Sequence, residues 1–260
     1  MLSAGVDVGA ETTKAVVIDD KQVLGASVVP SGWDTQSSVR SALSQAIRDA
    51  GVDEKSITHI GTTGMGGKNT GLEAPFFAYS TCSALGASWL FPLVRTVIDI
   101  GAEQSQAMVL SSEGGIVQYT RNDQCAAGAG AFITEMSLIL ELNIGDIGRV
   151  SLLSRNKVTL NSTCTIFAES EVISLINEGH DKNDVARAVC DAVALKAACL
   201  LQELKIEKEI VFIGGVARNA VIADYLKSKI GQDIVVPQEP RIITAVGAAR
   251  ADSYKMKFGS

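Results

Sequence analysis

Asp7-Val-Gly-Ala-Glu-Thr-Thr-Lys14 is the stretch that decides how this sequence folds. It separates the β-rich runs Leu2–Val8 and Thr13–Ile18, and a third run, Gln22–Val29, completes a predicted meander of three strands. The glycine permits a sharp turn and a close approach of the backbone to a ligand. Backbone amides, hydroxyls and an ammonium group at one point suit phosphate oxygens, and an aspartate at the strand end suits Mg²⁺. The alternative interpretation is an ordinary β-hairpin with a capping aspartate.

The same order of features returns at Asp99-Ile-Gly-Ala-Glu-Gln104. Strands are predicted around it at Thr96–Ile100, Gln106–Leu110 and Ile116–Thr120, so the chain contains a distant structural repeat. A third glycine element, Ile213-Gly-Gly-Val-Ala-Arg-Asn219, joins a predicted strand to a helix and would let a base or ribose lie on the backbone. One Gly-Gly pair is a weak signal, but three elements in this order predict a nucleotide site.

Composition excludes several classes of protein. The 260 residues include 23 basic and 29 acidic side chains, and the net charge of −6 argues against a protein that coats nucleic acid or an anionic membrane. The stretch Ala74–Val94 has no charged residue and is long enough to span a bilayer. Its prolines and hydroxyl side chains instead predict a buried helix over Ser80–Leu90.

The five cysteines are an odd number, which does not suggest a disulfide framework. Cys190 and Cys199 share one predicted helix on opposite faces, and we expect both, together with Cys82, to be buried. Cys125 and Cys164 each precede a predicted helix, whose dipole and free amides would stabilise a thiolate. The residues alone leave structural thiols, a reactive thiol and metal ligation open.

Two longer motifs resemble a known family. The order Asp-x-Gly, Asp-x-Gly, Gly-Gly-x-x-x-Asn is similar to the actin, Hsp70 and sugar kinase ATPase superfamily. Within it, Asn122-Asp-Gln-Cys-Ala-Ala-Gly-Ala-Gly-Ala-Phe132 and Ser162-Thr-Cys-Thr-Ile-Phe-Ala-Glu-Ser-Glu-Val172 resemble the BadF/BadG/BcrA/BcrD ATPase family. That family contains ATP-dependent activators of 2-hydroxyacyl-CoA dehydratases and ATPase subunits of benzoyl-CoA reductase. The resemblance covers essentially the whole chain.

The resemblance implies an α/β fold with two RNase H-like lobes around a nucleotide cleft. The first lobe is expected over 1–94, completed by the C-terminal helix 244–258, and the second over 95–243. Further helices are predicted at Thr35–Ala50, Ala129–Leu142, Phe167–Glu178, Asp184–Leu204 and Ala217–Ile230. Short strands are predicted at Ile57–Gly61, Glu209–Ile213 and Asp233–Val236.

The predicted site residues fall into three groups. Asp7 and Asp99 are expected to position Mg²⁺ and the hydrolytic water, with Glu103 and Gln104 as further catalytic candidates. Contacts with ATP or ADP are expected from the two turns and the third glycine element, at Gly9, Ala10, Glu11, Thr12, Thr13, Lys14, Gly101, Ala102, Gly214, Gly215, Val216 and Asn219. The resemblance implies that Cys125 and Cys164 ligate a [4Fe–4S] cluster.

A cluster with two cysteines from one chain implies a second chain, because [4Fe–4S] clusters normally take four. The resemblance therefore implies one cluster per dimer, in a homodimer or with a related ATPase subunit. The chain is then expected to be a cytoplasmic, ATP-driven one-electron donor, without nucleic-acid or membrane partners. Reduced ferredoxin or flavodoxin would supply the electron, and an iron–sulfur CoA-ester dehydratase or reductase would receive it.

Three departures from the activator pattern shape the alternatives. Gly101-Ala-Glu-Gln104 replaces Gly-Gly-Gln-Asp, Gly128-Ala-Gly-Ala-Phe132 replaces Gly-Thr-Gly-Arg-Phe, and Thr63-Gly-Met-Gly-Gly67 lacks Tyr-Gly-Arg. These changes favour the smaller ATPase subunit of a benzoyl-CoA reductase, which acts in aromatic ring reduction. A metal-free sugar or acyl kinase of the same fold, and a nucleotide-sensing regulator without enzyme activity, are further hypotheses.

Overall fold

The computed structural model describes residues 1–122, 130–161 and 165–258, and it divides the chain into two compact units. Unit 1 comprises Met1–Val97, Leu110–Val117 and Glu239–Ser260. Unit 2 comprises Ile98–Val109 and Gln118–Gln238. The lobe boundaries expected from the sequence, 1–94 with 244–258 and 95–243, stay a prediction.

Helices and strands alternate in both units, which confirms the α/β class. The strands are β1 Leu2–Val8, β2 Thr12–Ile18, β3 Val23–Pro30, β4 Ile57–Thr63, β5 Thr96–Ile100, β6 Ser105–Leu110, β7 Ile116–Asn122, β8 Ile210–Ile213 and β9 Ile234–Val235. The helices are α1 Thr35–Ala50, α2 Tyr79–Leu90, α3 Gly130–Ile139, α4 Ile147–Ser151, α5 Thr165–Asn177, α6 Lys182–Gln202, α7 Ala220–Ile230 and α8 Ile243–Phe258.

The sheet of unit 1 has the order β3-β2-β1-β4. β1 pairs antiparallel with β2 and parallel with β4, so the ends of β1 and β4 lie side by side. Helix α1 covers one set of buried strand residues, among them Val6 and Val17, and contributes its own Val39 to the same cluster. It has the predicted bounds because Asp34 caps its first turn and Gly51, in a left-handed conformation, ends it. Helix α8 packs against α2, β1 and β4.

The second sheet has the order β7-β6-β5-β8-β9. A large apolar cluster in unit 2 joins strands β5 and β8 to helices α3, α6 and α7, with Phe132, Met136 and Phe212 among its buried members. Helices α3 and α5, which begin within the two cysteine motifs, contact each other.

Several boundaries differ from the sequence-based prediction. Helix α4 was not predicted, because five residues are too few for a helical period to show. The helix expected over Ala217–Ile230 begins at Ala220, since Asn219 caps it and Val216–Arg218 form a separate 3₁₀ turn. The uncharged segment forms α2, with residues 82–87 buried as predicted. Among the described residues, no helix is both long and apolar enough to cross a membrane.

Candidate functional site: two aspartate–glycine turns

The first turn carries a buried carboxylate with one unsatisfied oxygen. Asp7 ends β1, is 1% exposed, and lies across from Lys14 in the antiparallel register. The Lys14 Nζ atom is 3.2 Å from Asp7 Oδ2. Asp7 Oδ1 is buried without a hydrogen-bond partner. A buried carboxylate oxygen without a partner is costly, so it indicates a place for a cation or a bound water.

A glycine from the neighbouring strand lies directly behind this carboxylate. Gly64 follows β4 with φ +87°, and a Cβ atom there would lie 2.5 Å from Asp7 Oδ1 and from the Val8 carbonyl oxygen. The next glycine, Gly66, donates its N–H to the same Val8 oxygen at 3.1 Å. The glycine segment that follows β4 is therefore packed against Asp7 and Val8.

Hydroxyl groups fasten the turn to helix α1. Thr13 is fully buried, and its Oγ1 lies 3.0 Å from Ser31 Oγ and 3.1 Å from Ser38 Oγ. Ser31 donates its hydroxyl to the Gly9 carbonyl oxygen and its N–H to the Glu11 carbonyl oxygen. We therefore interpret Thr13 as a positioning residue of the turn rather than as a direct phosphate contact.

The surface of the first turn stays accessible. Ala10 and Glu11 are exposed, and Gly9, Thr12 and Lys14 are partly buried. The Gly9 N–H closes the turn by donating to the Thr12 carbonyl oxygen at 3.1 Å. The predicted phosphate contacts other than Thr13 thus lie where a ligand can reach them.

The second turn repeats this backbone in unit 2. Asp99 ends β5 and is 1% exposed, and the Gly101 N–H donates to the Gln104 carbonyl oxygen at 2.9 Å. Glu103 and Gln104, the further catalytic candidates, are both exposed. The carbonyl oxygens of Gly101 and Ala102 accept hydrogen bonds from the N–H groups of Gly130 and Ala131, the first residues of α3.

A residue that sequence reasoning missed contacts Asp99. Gln106 Nε2 donates to Asp99 Oδ2 at 2.9 Å, and Tyr119 Oη donates to Gln106 Oε1 at 3.1 Å. The repeat itself held the signal, because Gln106 follows Asp99 at the same interval at which Lys14 follows Asp7. Comparing the two turns position by position would have found it.

The third glycine element lies behind Asp99. Gly214 follows β8 with φ +90°, and a Cβ there would lie 2.3 Å from the Ile100 carbonyl oxygen and 2.8 Å from Asp99 Oδ1. Gly214 therefore occupies the same position relative to Asp99 that Gly64 occupies relative to Asp7. Gly215 is exposed and Val216 is buried, so only the glycine backbone is open to a flat ligand.

Asn219 caps the N-terminus of helix α7. Its Oδ1 accepts from the N–H groups of Val221 at 3.1 Å and Ile222 at 3.3 Å, which is an N-cap. A Cβ at Gly148 would lie 2.4 Å from the same oxygen, so helix α4 packs closely on the cap. The predicted contact of Asn219 with adenosine stays a prediction.

Cys125 and Cys164 lie outside the described residues. Among the described cysteines, Cys82 and Cys190 are buried as predicted, and burial raises the pKa of their thiols to about 12 and about 11. The expectation that Cys199 is buried was wrong. It lies on the exposed face of α6, opposite the buried Cys190, as nine residues of helix require.

Two carboxylates hold the segment that precedes Cys164. Asp184 accepts hydrogen bonds from the Asn156 backbone and side chain, the Arg155 N–H and the Ser154 hydroxyl, at 2.7–3.0 Å. These donors, the Asn156 backbone N–H first, hold the pKa of Asp184 well below its usual range. Glu171 accepts from the Asn161 N–H at 2.9 Å. These hydrogen bonds connect residues 154–156 to α6 and Asn161 to α5.

Comparisons with known proteins identify the family. Residues 4–250 match the BadF/BadG/BcrA/BcrD ATPase family. The activator of lactoyl-CoA dehydratase from Anaerotignum propionicum is 35% identical over 250 residues, covering 96% of each chain. The 2-hydroxyisocaproyl-CoA dehydratase activator from Clostridioides difficile is 32% identical over 96% of this chain and 94% of its own. A benzoyl-CoA reductase subunit from Thauera aromatica is 25% identical, over 98% of this chain and 94% of its own.

Solved structures agree on the fold. The activator of the 2-hydroxyisocaproyl-CoA dehydratase from Clostridium difficile, with bound ADPNP, superposes with a TM-score of 0.91 and 31% identity, over 99% of this chain and 97% of that one. A ROK family glucokinase from Streptomyces griseus, at 13% identity and a TM-score of 0.60 over 96% and 99%, shares the fold alone. These matches confirm the actin, Hsp70 and sugar kinase type of fold. The chain belongs to the BadF/BadG/BcrA/BcrD ATPase family.

Proposed function

We propose that this chain is an ATP-dependent activator that delivers single electrons to an iron–sulfur CoA-ester dehydratase. The observation that carries the proposal is the match of 94–96% of the chain to three dehydratase activators at 32–35% identity. The lower identity to the benzoyl-CoA reductase subunit, 25%, favours the dehydratase over aromatic ring reduction.

The geometry of the first turn supports nucleotide binding with Mg²⁺. The unpartnered Asp7 Oδ1 and the accessible backbone of Gly9–Thr12 offer a carboxylate and amides, which Mg²⁺ and phosphate oxygens prefer. Lys14 would balance phosphate charge from beside Asp7. In unit 2, Asp99 would take part in the same chemistry, with Glu103 and Gln104 exposed to orient a water.

Cys125 and Cys164 are proposed as the cluster ligands of each chain, with two chains sharing one [4Fe–4S] cluster. The support lies in their neighbours: α5 begins at Thr165, directly after Cys164, and α3, which it contacts, begins at Gly130. When bound, the cluster would supply a one-electron reductant, recharged by ferredoxin or flavodoxin.

A direct backbone connection supports coupling between nucleotide and cluster. The Gly130 N–H donates to the Gly101 oxygen at 2.7 Å, and the Ala131 N–H to the Ala102 oxygen at 2.8 Å. A change in the second turn would therefore move the start of α3, which follows Cys125. ATP can drive such a change only if it binds the two conformations with different affinity.

Anaerobic purification of the full chain tests the proposal. The protein should be brown, absorb near about 400 nm and contain about four irons per dimer. Cys164→Ala should lose the iron and keep nucleotide binding, whereas Cys199→Ala, a change at an exposed cysteine, should keep both. Colourless protein that phosphorylates a sugar or acyl substrate would refute electron transfer and favour the kinase hypothesis.

A second experiment identifies the electron acceptor. The reduced protein and MgATP are mixed with a 2-hydroxyacyl-CoA dehydratase or with a benzoyl-CoA reductase core, and product formation is measured. We expect ATP-dependent product with the dehydratase. Product with the reductase alone would instead support the ATPase subunit of a benzoyl-CoA reductase.

A further inference from the structure

Three side chains in unit 2 form a directed hydrogen-bond chain that ends on Asp99. Tyr119, in β7, donates its hydroxyl to Gln106 Oε1 at 3.1 Å. Gln106, in β6 and 3% exposed, donates from Nε2 to Asp99 Oδ2 at 2.9 Å. Tyr119 itself is 41% exposed, so the chain runs from a surface hydroxyl to a buried carboxylate.

The chemistry of each group fixes the direction of this chain. An amide oxygen only accepts hydrogen bonds, so the tyrosine hydroxyl must be the donor to Oε1. With Oε1 turned towards Tyr119, the NH₂ group faces Asp99. The reversed amide would place its oxygen against a carboxylate oxygen, which is repulsive. Asp99, which only accepts, therefore selects the amide orientation, and Tyr119 satisfies the amide oxygen that this orientation leaves on the other side.

The first turn places a different group at the equivalent position. There Lys14 contacts Asp7 at 3.2 Å and carries a full positive charge. Gln106 supplies a donor of similar reach without a charge. Gln106 thus holds Asp99 in place without neutralising its negative charge, and that charge can attract a cation of the bound ligand.

We propose that Gln106 and Tyr119 are positioning residues for Asp99, which orient its carboxylate towards the Mg²⁺ of a bound nucleotide. Gln106 holds the carboxylate by one oxygen, and Tyr119 anchors the Gln106 side chain by donating to its amide oxygen. The proposal rests on the proposed ATP hydrolysis for its kinetic consequences. The binding of MgADP gives a readout that is independent of turnover.

Steady-state ATP hydrolysis by the full chain tests Gln106. Gln106→Met removes the donor at similar volume, and kcat should fall about 10-fold or more because a hydrogen bond to a charged group is lost. The KM for ATP should stay within about twofold, as expected for an interaction that orients rather than binds. Gln106→Lys restores a donor, as in the first turn, but its charge weakens the attraction of Asp99 for Mg²⁺, so kcat should recover only in part, to a value between those of Gln106→Met and the parent.

Tyr119→Phe tests whether the tyrosine hydroxyl acts on Asp99 through Gln106. In the parent, it should lower kcat about threefold, because the buried oxygen of Gln106 loses its donor and the side chain is held less firmly. In the Gln106→Lys background it should have little effect, since an ammonium group has no oxygen for Tyr119 to donate to. Tyr225→Phe and Gln202→Met serve as matched controls in unit 2, and thermal unfolding confirms that each variant is folded.

Calorimetry of ADP binding with and without Mg²⁺ completes the test. Gln106→Met should reduce the gain in ADP affinity that Mg²⁺ gives, and leave metal-free ADP binding unchanged. Unchanged kcat and an unchanged Mg²⁺ effect in Gln106→Met, or an equal effect of Tyr119→Phe in both backgrounds, would overturn the positioning role. A parent that binds MgADP but hydrolyses no ATP would refute the proposed function instead, and the Mg²⁺ effect would still decide on Gln106.

Discussion

The two aspartate–glycine turns share a backbone and differ in charge. In each, an aspartate ends a strand, and a glycine N–H closes the turn at 3.1 Å in unit 1 and 2.9 Å in unit 2. In each, a glycine with positive φ, Gly64 or Gly214, lies against the carboxylate. The partner that reaches the aspartate from the next strand is Lys14 in one and Gln106 in the other.

The glycines behind the aspartates are the same in both turns, whereas the side chain that pairs with the aspartate differs. The backbone positions are fixed by sterics, since a carboxylate and a carbonyl leave no room for a Cβ behind them. The partner only has to donate a hydrogen bond to the carboxylate, and both an ammonium and an amide do so. The aspartate of the first turn therefore forms an ion pair, whereas that of the second accepts a hydrogen bond from a neutral amide. Removing the partner should change stability by different amounts in the two turns.

Lys14→Met should have the largest effect on stability. It leaves Asp7 buried without its counter-charge, and breaking such a pair costs about 3–5 kcal/mol. Gln106→Met, the matched change in the second turn, removes a neutral donor and should cost about 1–2 kcal/mol. Urea unfolding of both variants, at the same pH and without nucleotide, measures the difference. Equal losses would mean that the two turns are electrostatically alike.

Alanine at Gly64 or Gly214, the glycines that lie against the aspartates, should have the second largest effect on stability. Gly64→Ala and Gly214→Ala both combine a disfavoured φ with a Cβ within 2.5 Å of an oxygen, for an expected loss of about 2–4 kcal/mol. Gly231→Ala is the matched control, because its φ is +66° and no atom lies within 4 Å of the added Cβ. We expect it to lose about 1 kcal/mol in the same urea experiment.

A loss at Gly64 or Gly214 no larger than at Gly231 would contradict the close packing behind the aspartates. Unequal losses at Gly64 and Gly214 would show that one turn yields more readily than the other. Since both variants keep their aspartates, ADP affinity measured beside the unfolding curves would show how far carboxylate placement depends on the glycine.

Much of the fold could be predicted from local sequence. Helix α1 has the predicted bounds because its period, its Asp34 cap and its Gly51 stop all lie within one stretch. The two turns could be found for the same reason, since Asp, Gly and the following hydroxyls are neighbours in sequence. Gln106 could be found only by comparing the two turns, and Tyr119 not from local sequence, because it reaches Asp99 through Gln106 from another strand.

Strand pairing and side-chain periodicity explain further differences from the sequence-based expectations. The role of Gly64 depends on β4 lying beside β1, which the sequence of the turn does not record. Cys199 was expected inside from its apolar neighbours, yet the helix period places it opposite the buried Cys190. Thr13 was expected among the phosphate contacts, and alternation along β2 turns its side chain inward, to Ser31 and Ser38, while its contact with phosphate stays a prediction.

Two adjacent threonines, Thr12 and Thr13, are expected to have different roles in the first turn. Thr13→Val removes a buried hydroxyl from its network and should cost about 1 kcal/mol of stability. Thr12→Val changes a partly exposed side chain at the open surface of the turn, so stability should be kept and ADP affinity should fall. Urea unfolding and calorimetry on the same samples separate the two. Reversed effects would show that Thr13 is the ligand contact.

Substitutions at the helix caps of the two units should have the smallest effects on stability. Asp34 accepts from one N–H in α1, and Asn219 accepts from two in α7. Alanine at either position should cost about 1 kcal/mol, whereas Asn219→Ser keeps a capping oxygen and should stay within about 0.5 kcal/mol of the parent. If Asn219 acts only as a cap, ADP affinity should be unchanged in Asn219→Ser. A weakened ADP affinity at unchanged stability would instead assign its amide to the adenosine, because serine replaces the cap but not the amide.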